Sequence, residues 1–414
     1  MSVIIKSQHL KIPFRDIEIA TRNFTTIIGS GGYGDVYKGE LLLSSKLTPV
    51  AVKRLKKIGH SGQGLKEFLT EIQLLSRYKH PNLVSLLGYC EEGNEKILIY
   101  EYAVYGSLDR YLSMANPIFP LPWKQRIKIC IDAARGLDYL HNHVAENHRV
   151  IHRDIKSGNI LLDHNFKAMI SDLGLSKIGR ANENESYLIT NGSGTYGYCD
   201  PVYIDTGILT KESDIYSFGV VLFEVLCGRP GFINVSDERR FLAPLAQSYC
   251  EKGNLNDIID HDLKNQIDSN SLNRFAGIAY LCLQNDRNQR PSMGLVIRKL
   301  EKALELQELA ESSELAESSK PQVMEKINPN NNNDIICHCD DKHDEASGVP
   351  LIVAKAKSST INVCGMGVQY ETSSDCDVYK EEKIKNPTSP GGRGCLFPFL
   401  TRIRCGDFDF RFSF

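Results

Sequence analysis

A chain of 414 residues with 42% apolar and 24% charged content has room for one large two-lobed domain or two to three smaller ones. A net charge of −2 argues against bulk binding to nucleic acid or an acidic membrane. The N-terminal residues lack an apolar core with a small-residue cleavage site, and no run of about eighteen uncharged apolar residues occurs, so neither a signal peptide nor a transmembrane segment is expected. The twelve cysteines are then expected to be reduced thiols.

Residues 14–24, F-R-D-I-E-I-A-T-R-N-F, place Phe14, Ile17 and Ala20 at helical spacing and predict a short amphipathic helix packed on the first lobe. Residues 28–36 read I-G-S-G-G-Y-G-D-V, with Gly29, Gly31 and Gly34 in the pattern G-x-G-x-x-G-x-V. Glycine lets backbone amides approach phosphate oxygens without a Cβ in the way. A dinucleotide-binding turn would need a helix directly after the glycines; a strand and hairpin pattern follows instead. Lys53 lies in the strand pattern P-V-A-V-K-R-L, and residues 65–78 form a helix with an apolar stripe beside Glu71, so a Lys53–Glu71 ion pair is expected. Residues 80–90 and 96–102 read as the last two strands of this lobe, ending at a hinge of Glu101, Tyr102 and Ala103, with Tyr100 behind it.

Residues 123–141 predict a helix preceded by Pro122. His143 and His148 are expected in a solvated loop rather than on a metal. Residues 150–162, V-I-H-R-D-I-K-S-G-N-I-L-L, then place Asp154, Lys156 and Asn159 on one polar turn between two apolar strands, the rigid setting that reactive groups require. Asp172 ends the apolar strand of K-A-M-I-S-D-L-G-L. Residues 176–203 form a polar loop with candidate phosphorylation sites at Ser186, Tyr187, Thr190, Ser193 and Thr195, of which Thr190 and Ser193 are favoured; Thr195 reads better as a structural hydroxyl near Asp154. Residues 213–227 are apolar all round, as in a buried central helix headed by Asp214. Helical stretches at 240–263, 271–283 and 292–306 complete the lobe.

In this order, the glycine loop, V-A-V-K, H-P-N-L-V-S-L-L-G-Y-C, H-R-D-I-K-S-G-N-I-L-L, G-T-Y-G-Y-C-D-P-V-Y and V-L-C-G-R-P resemble a protein kinase over about residues 14–306, in particular a plant receptor-like kinase of the FERONIA (malectin-like) group. With no ectodomain or membrane helix in the sequence, the resemblance is to a receptor-like cytoplasmic kinase. It implies an α+β, two-lobed protein kinase fold: an N-terminal extension at 1–23 and a kinase domain at 24–306, divided into lobes 24–102 and 103–306. A charged helix and disordered linker at 307–348 and a tail at 349–414 follow. It implies ATP and magnesium (Mg2+) as cofactors. ATP contacts fall on Ile28, Gly29, Ser30, Gly31, Gly32, Tyr33, Gly34, Val36, Ala51, Lys53, Glu71, Glu101 and Ala103. Asp154 takes the proton of a substrate hydroxyl, Lys156 steadies the transferring phosphate, Thr195 helps seat the substrate, and Asn159 with Asp172 holds the metal. Lys156 resembles the serine/threonine branch, and Arg153 resembles an activation-loop phosphate sensor. Implied partners are proteins presenting Ser or Thr and a membrane receptor kinase, with a cytoplasmic location and recruitment to the plasma membrane by that partner. One departure bears on activity: the segment ends Asp200-Pro201-Val202 where the family has a glutamate after the proline, so Arg290 is expected to lose its partner, with Asp205 or Asp286 as substitutes. The alternative function is a kinase-fold scaffold of little or no activity, favoured by Val202, by Leu173 in place of phenylalanine and by the unusual tail. In that tail, Cys337, His338, Cys339 and His343 match no zinc spacing. Residues 395–414 are aromatic and basic, and 349–370 are strand-like.

Overall fold

The computed structural model describes residues 7–32, 34–56, 62–112, 119–180, 187–190, 192–318, 401–405 and 408–412. Of the two compact units, one comprises residues 1–320 with 398–414; the other, 321–397, lies outside the described residues, and with it the Cys/His cluster and the strand-like stretch at 349–370.

The first lobe is an antiparallel five-stranded sheet of β1 (Ile27–Ser30), β2 (Gly34–Leu43), β3 (Lys46–Leu55), β4 (Leu86–Glu92) and β5 (Glu95–Glu101), in the order β1-β2-β3-β5-β4. Ser44 and Ser45 close β2 onto β3 as a two-residue turn with φ of 48° and 63°, whose twist matches that of paired strands. Helix α1 (Phe14–Ala20) buries Ile17 on the outer face of the sheet among Leu41, Val50, Ile97 and Ile99. Arg54 pins its far end, pairing with both Glu95 carboxylate oxygens (2.8 and 2.7 Å) while its guanidinium lies 4.3 Å from the Phe24 ring centre. The inner face receives α2 (Gln63–Leu75) through Phe68, Ile72 and Leu75. Of the strand expected at 80–90, only the part from Leu86 pairs. Pro81 has no N–H for a ladder, and Leu83 instead makes a single parallel bridge to Ile170.

The second lobe holds β6 (Gly106–Ser107), α3 (Trp123–Asp138), β7 (His148–Ile151), β8 (Ile160–Leu162), β9 (Ala168–Ile170), β10 (Lys177–Arg180), β11 (Leu188–Ile189), α4 (Pro201–Thr206), β12 (Ile208–Leu209), α5 (Lys211–Cys227), α6 (Leu242–Glu251), α7 (Ser269–Cys282) and α8 (Met293–Ser318). β13 (Thr401–Cys405) and β14 (Phe408–Phe412) pair as a separate antiparallel hairpin. Helix α5 is the hub: every residue from Ser213 to Cys227 is buried, and a Thr210/Ser213 capping box starts it. The two-lobed α+β architecture is the one the sequence implied.

Two local expectations are corrected. The helix expected over 240–263 stops at Glu251, because Gly253 adopts φ of 71° and the chain continues in short 3-10 turns. His148 is no loop residue: it opens β7, is half-buried, and its ring meets the Tyr78 hydroxyl. His143 is exposed, with Asp138 3.1 Å away.

Candidate active site

Strands β7 and β8 hold the polar turn between them in one shape. Arg153 takes φ of 76°, a left-handed conformation costly for a side-chain-bearing residue. Asp214, at the head of α5, compensates by accepting the His152 and Arg153 amides at 2.7 Å each. His152 is fully buried and its ring bonds the Ser171 carbonyl (2.9 Å), a packing role. On this frame the four residues singled out as catalytic converge. Thr195 Oγ1 donates to Asp154 Oδ1 (2.6 Å), and Lys156 Nζ donates to Thr195 Oγ1 (2.7 Å) and stands 3.1 Å from Asp154 Oδ2. Asn159 Nδ2 donates to the Asp154 carbonyl (2.8 Å) and to its Oδ2 (3.1 Å).

Across the cleft, Lys53 Nζ lies 2.9 Å from Glu71 Oε1 and 2.6 Å from Asp172 Oδ1. Burial alone would push the lysine pKa down, but the charges of Glu71 and Asp172 outweigh it and hold the ammonium above its ordinary range. Burial raises the Glu71 carboxyl against the pull of Lys53; burial also acts to raise Asp172, but there Lys53 prevails and the net shift is down. Tyr100, opposite Ala51 in the β3–β5 register, donates its hydroxyl to the second oxygen of Glu71. Sequence reasoning placed Tyr100 behind the hinge but missed this bond; its signal is a tyrosine one residue before Glu101.

The glycine loop bridges β1 and β2, with Gly29 opposite Val36 and Ser30 opposite Asp35. Ser30 Oγ donates to Asp35 Oδ1 (2.5 Å). A Cβ at Gly34 would stand 2.4 Å from the Arg54 carbonyl, so no larger residue fits, while one at Gly32 would meet nothing within 4 Å. The open space at Gly32 suits an approaching phosphate. Ile28, Val36 and Ala51 are half-buried beside it; Tyr33 lies outside the described residues. At the hinge, Glu101 exchanges contacts with Ser85 through its amide and carboxylate, and Ala103 is buried. For a metal, the donor set is the Asp172 carboxylate, 40% exposed on the cleft, and the Asn159 amide. These are hard oxygen donors in the small number a magnesium ion takes when phosphate and water fill the rest, so the residues fit the ion.

The polar segment after β9 is partly ordered as strand: β10 pairs with β7 and β11 with β12. Arg153 donates to the Tyr203 hydroxyl (2.8 Å) and to Thr190 Oγ1 (3.2 Å). Ser186 lies outside the described residues. At the end of the segment the expected loss at Val202 does not occur. Arg290 Nη2 meets Asp200 Oδ1 at 2.9 Å with both side chains fully buried, and Arg287 meets Asp200 Oδ2 at 2.8 Å. The substitute is Asp200 itself, two residues before Val202, rather than Asp205 or Asp286; Asp286 instead caps a 3-10 turn at Asn288. Leu173 is fully buried in the main core.

One buried group escaped sequence reasoning. Glu224 on α5 accepts on a single oxygen from Ser157 (3.1 Å), Tyr198 (2.6 Å) and the Gly231 amide (3.2 Å), tying the polar turn to the segment that carries Thr195. Burial pushes its carboxyl up to about 7.

The family model "Protein tyrosine and serine/threonine kinase" matches residues 23–300. The Arabidopsis thaliana proteins receptor-like protein kinase HERK 1, receptor-like protein kinase ANXUR1 and receptor-like protein kinase FERONIA are 48%, 47% and 42% identical over 74%, 72% and 88% of this chain. The matches cover 36%, 34% and 39% of those relatives, so the chain spans about a third of their length.

Proposed function

Because the chain belongs to the protein tyrosine and serine/threonine kinase family and is of the FERONIA receptor-like type, we propose that it transfers the γ-phosphate of ATP, with magnesium, to serine and threonine hydroxyls of proteins, its own chain included. The observation that carries this reading is the Asp154–Thr195–Lys156 cluster, in which a carboxylate oxygen already accepts from an alcohol 2.6 Å away while an ammonium faces the same alcohol. Magnesium, when bound by Asn159 and Asp172, supplies charge that offsets the phosphates. The chain's own part is positioning. Lys53, fixed by Glu71 and Asp172, holds the α- and β-phosphates under the glycine loop. Asp154 orients the attacking hydroxyl and receives its proton, and Lys156 balances the charge of the phosphoryl in transit.

Protein substrates, a cytoplasmic setting and recruitment by a membrane receptor kinase belong to the same proposal. Their support is the receptor-like naming of the relatives. No helix among the described residues is long and apolar enough to cross a membrane. Two of the features that favoured a scaffold have a structural account, since Asp200 occupies Arg290 and Leu173 fills its core site.

The test is incorporation of labelled phosphate by the purified chain with ATP and magnesium, beside Asp154→Asn. Label expected only in the unaltered protein, abolished by chelator and recovered as phosphoserine and phosphothreonine, supports the proposal. Equal label in both proteins, or phosphotyrosine alone, overturns it.

A further inference from the structure

Two arginines beside the segment that carries Thr195 bear charge that no carboxylate among the described residues offsets. Arg229, in the loop after α5, is only 9% exposed. Its Nη2 donates to the Arg239 carbonyl at 2.7 Å, and its Nε is buried without a hydrogen-bond partner. Arg240 is half-buried, and its Nε is likewise buried and unpartnered. Its guanidinium carbon stands 5.8, 5.3 and 5.8 Å from the ring centres of Tyr196, Phe232 and Phe241. The neighbouring Arg239 is occupied by both carboxylate oxygens of Asp237. Burial and then the charge of Arg239 push the Arg229 pKa down, as expected of a cation without a counter-charge.

The location of the pair gives the charge a use. Tyr196 directly follows Thr195, whose hydroxyl is on Asp154. The Tyr196 ring packs edge-on against Phe232 (4.7 Å) and Phe241 (5.1 Å), and a Cβ at Gly197 would stand 2.7 Å from Phe232 Cβ. The aromatic trio therefore locks the arginine loop to the residues beside the acceptor carboxylate. Buried or half-buried cations are normally paired, and an anion arriving on a bound chain would pair these. We propose that Arg229 and Arg240 form a specificity pocket for an anionic side chain, carboxylate or phosphate, lying near the target hydroxyl of the protein substrate. The identity of the occupant as substrate rests on the kinase reading above; the anion preference itself does not.

The experiment separates the two. Serine peptides carrying alanine, aspartate or phosphoserine at each flanking position in turn are bound to Asp154→Asn by fluorescence anisotropy, which needs no turnover. At one position, aspartate or phosphoserine binds about tenfold tighter than alanine, the size of a charge-assisted contact. Whichever of the two binds tighter identifies the natural anion. Adding Arg240→Gln removes that preference, Arg240→Lys keeps part of it, and Arg240→Glu transfers it to a lysine peptide, a gain that misfolding cannot produce. Equal binding of alanine and anionic peptides at every position overturns the pocket, as does a preference that survives Arg240→Gln and Arg229→Gln together. With the active chain, the same ratios are expected in kcat/KM. If the binding preference holds but no peptide is phosphorylated, the kinase reading fails and the anion pocket stands.

Discussion

Asp200 concentrates several duties in one carboxylate. It caps α4 by accepting the Val202 amide (3.1 Å), accepts from Ser213 (2.9 Å) and pairs with Arg287 and Arg290. Each guanidinium nitrogen of Arg290 makes one such bond in turn, to the Gln284 and Glu212 carbonyls and to Asp200. Removing one partner of a buried pair typically costs about 3–5 kcal/mol. Asp200→Asn is therefore expected to lower stability by that order in urea unfolding, while Val202→Glu should leave it within about 0.5 kcal/mol because Asp200 already pairs with the Arg290 charge. A rise of several degrees in melting temperature for Val202→Glu would show that Arg290 still lacks a partner. Burial acts to raise the Asp200 pKa, but Arg290 and then Arg287 prevail and hold it down. The stability it contributes is present above the ordinary aspartate range and is lost as pH falls through the depressed value. The lesson is specific: the family pattern marks position 202 for the acid, whereas the carboxylate that reaches Arg290 sits at 200, and only the fold of the turn before α4 reveals that reach.

At the scale of elements, α5 organises the site from below. Asp214 at its start holds the polar turn of residues 152–159, and Glu224 near its end ties Ser157 to Tyr198. Asp214 was legible in the sequence as the acidic head of an otherwise apolar helix. The tie at Glu224 was not: a glutamate inside an apolar run gives no hint which elements will meet it. Glu224 is buried with no cation pairing it among the described residues, and its carboxyl is raised to about 7 from an ordinary 4.5. The sign follows directly. The folded state favours the protonated form, so the contribution is full below about 4.5, declines as pH rises through about 7 and is constant above that. The span corresponds to roughly 3 kcal/mol. Urea unfolding of Glu224→Gln against the unaltered chain at pH 5 and pH 8 should therefore show the variant gaining on its parent at the higher pH. Parallel pH dependence in the two proteins would place the ionisation elsewhere.

For the whole molecule, the motifs were readable because the proposed reaction sets which residues must meet: on that reading Lys53, Asp154, Asn159 and Asp172 serve one nucleotide whatever the intervening loops do. Where the lobe ends was harder to read, since the charged helix expected after residue 306 has no motif. Helix α8 continues past residue 306, and ion pairs hold it to α3 as far as Glu311. Arg135, Lys128 and Lys124 meet Glu301, Glu308 and Glu311 at 2.8, 3.7 and 2.5 Å. Gln307 between them is 3% exposed, accepts the Asp268 amide (2.9 Å) and donates to the Gln266 carbonyl (2.8 Å). Magnitudes decide which of these fixes the helix. The ion pairs are exposed and contribute about 0–1 kcal/mol each, falling with salt. Losing Gln307 leaves two backbone groups of the turn before α7 unpaired, at about 1–3 kcal/mol for each group that stays dry. Gln307→Ala is thus expected to destabilise the chain by about 2 kcal/mol at any ionic strength, whereas replacing Glu301, Glu308 and Glu311 together by alanine should cost less and lose its effect in 1 M salt. Chains ending at 306 and at 318, melted side by side, should differ by at least the Gln307 increment. If they melt together, the helix beyond residue 306 adds nothing to the lobe.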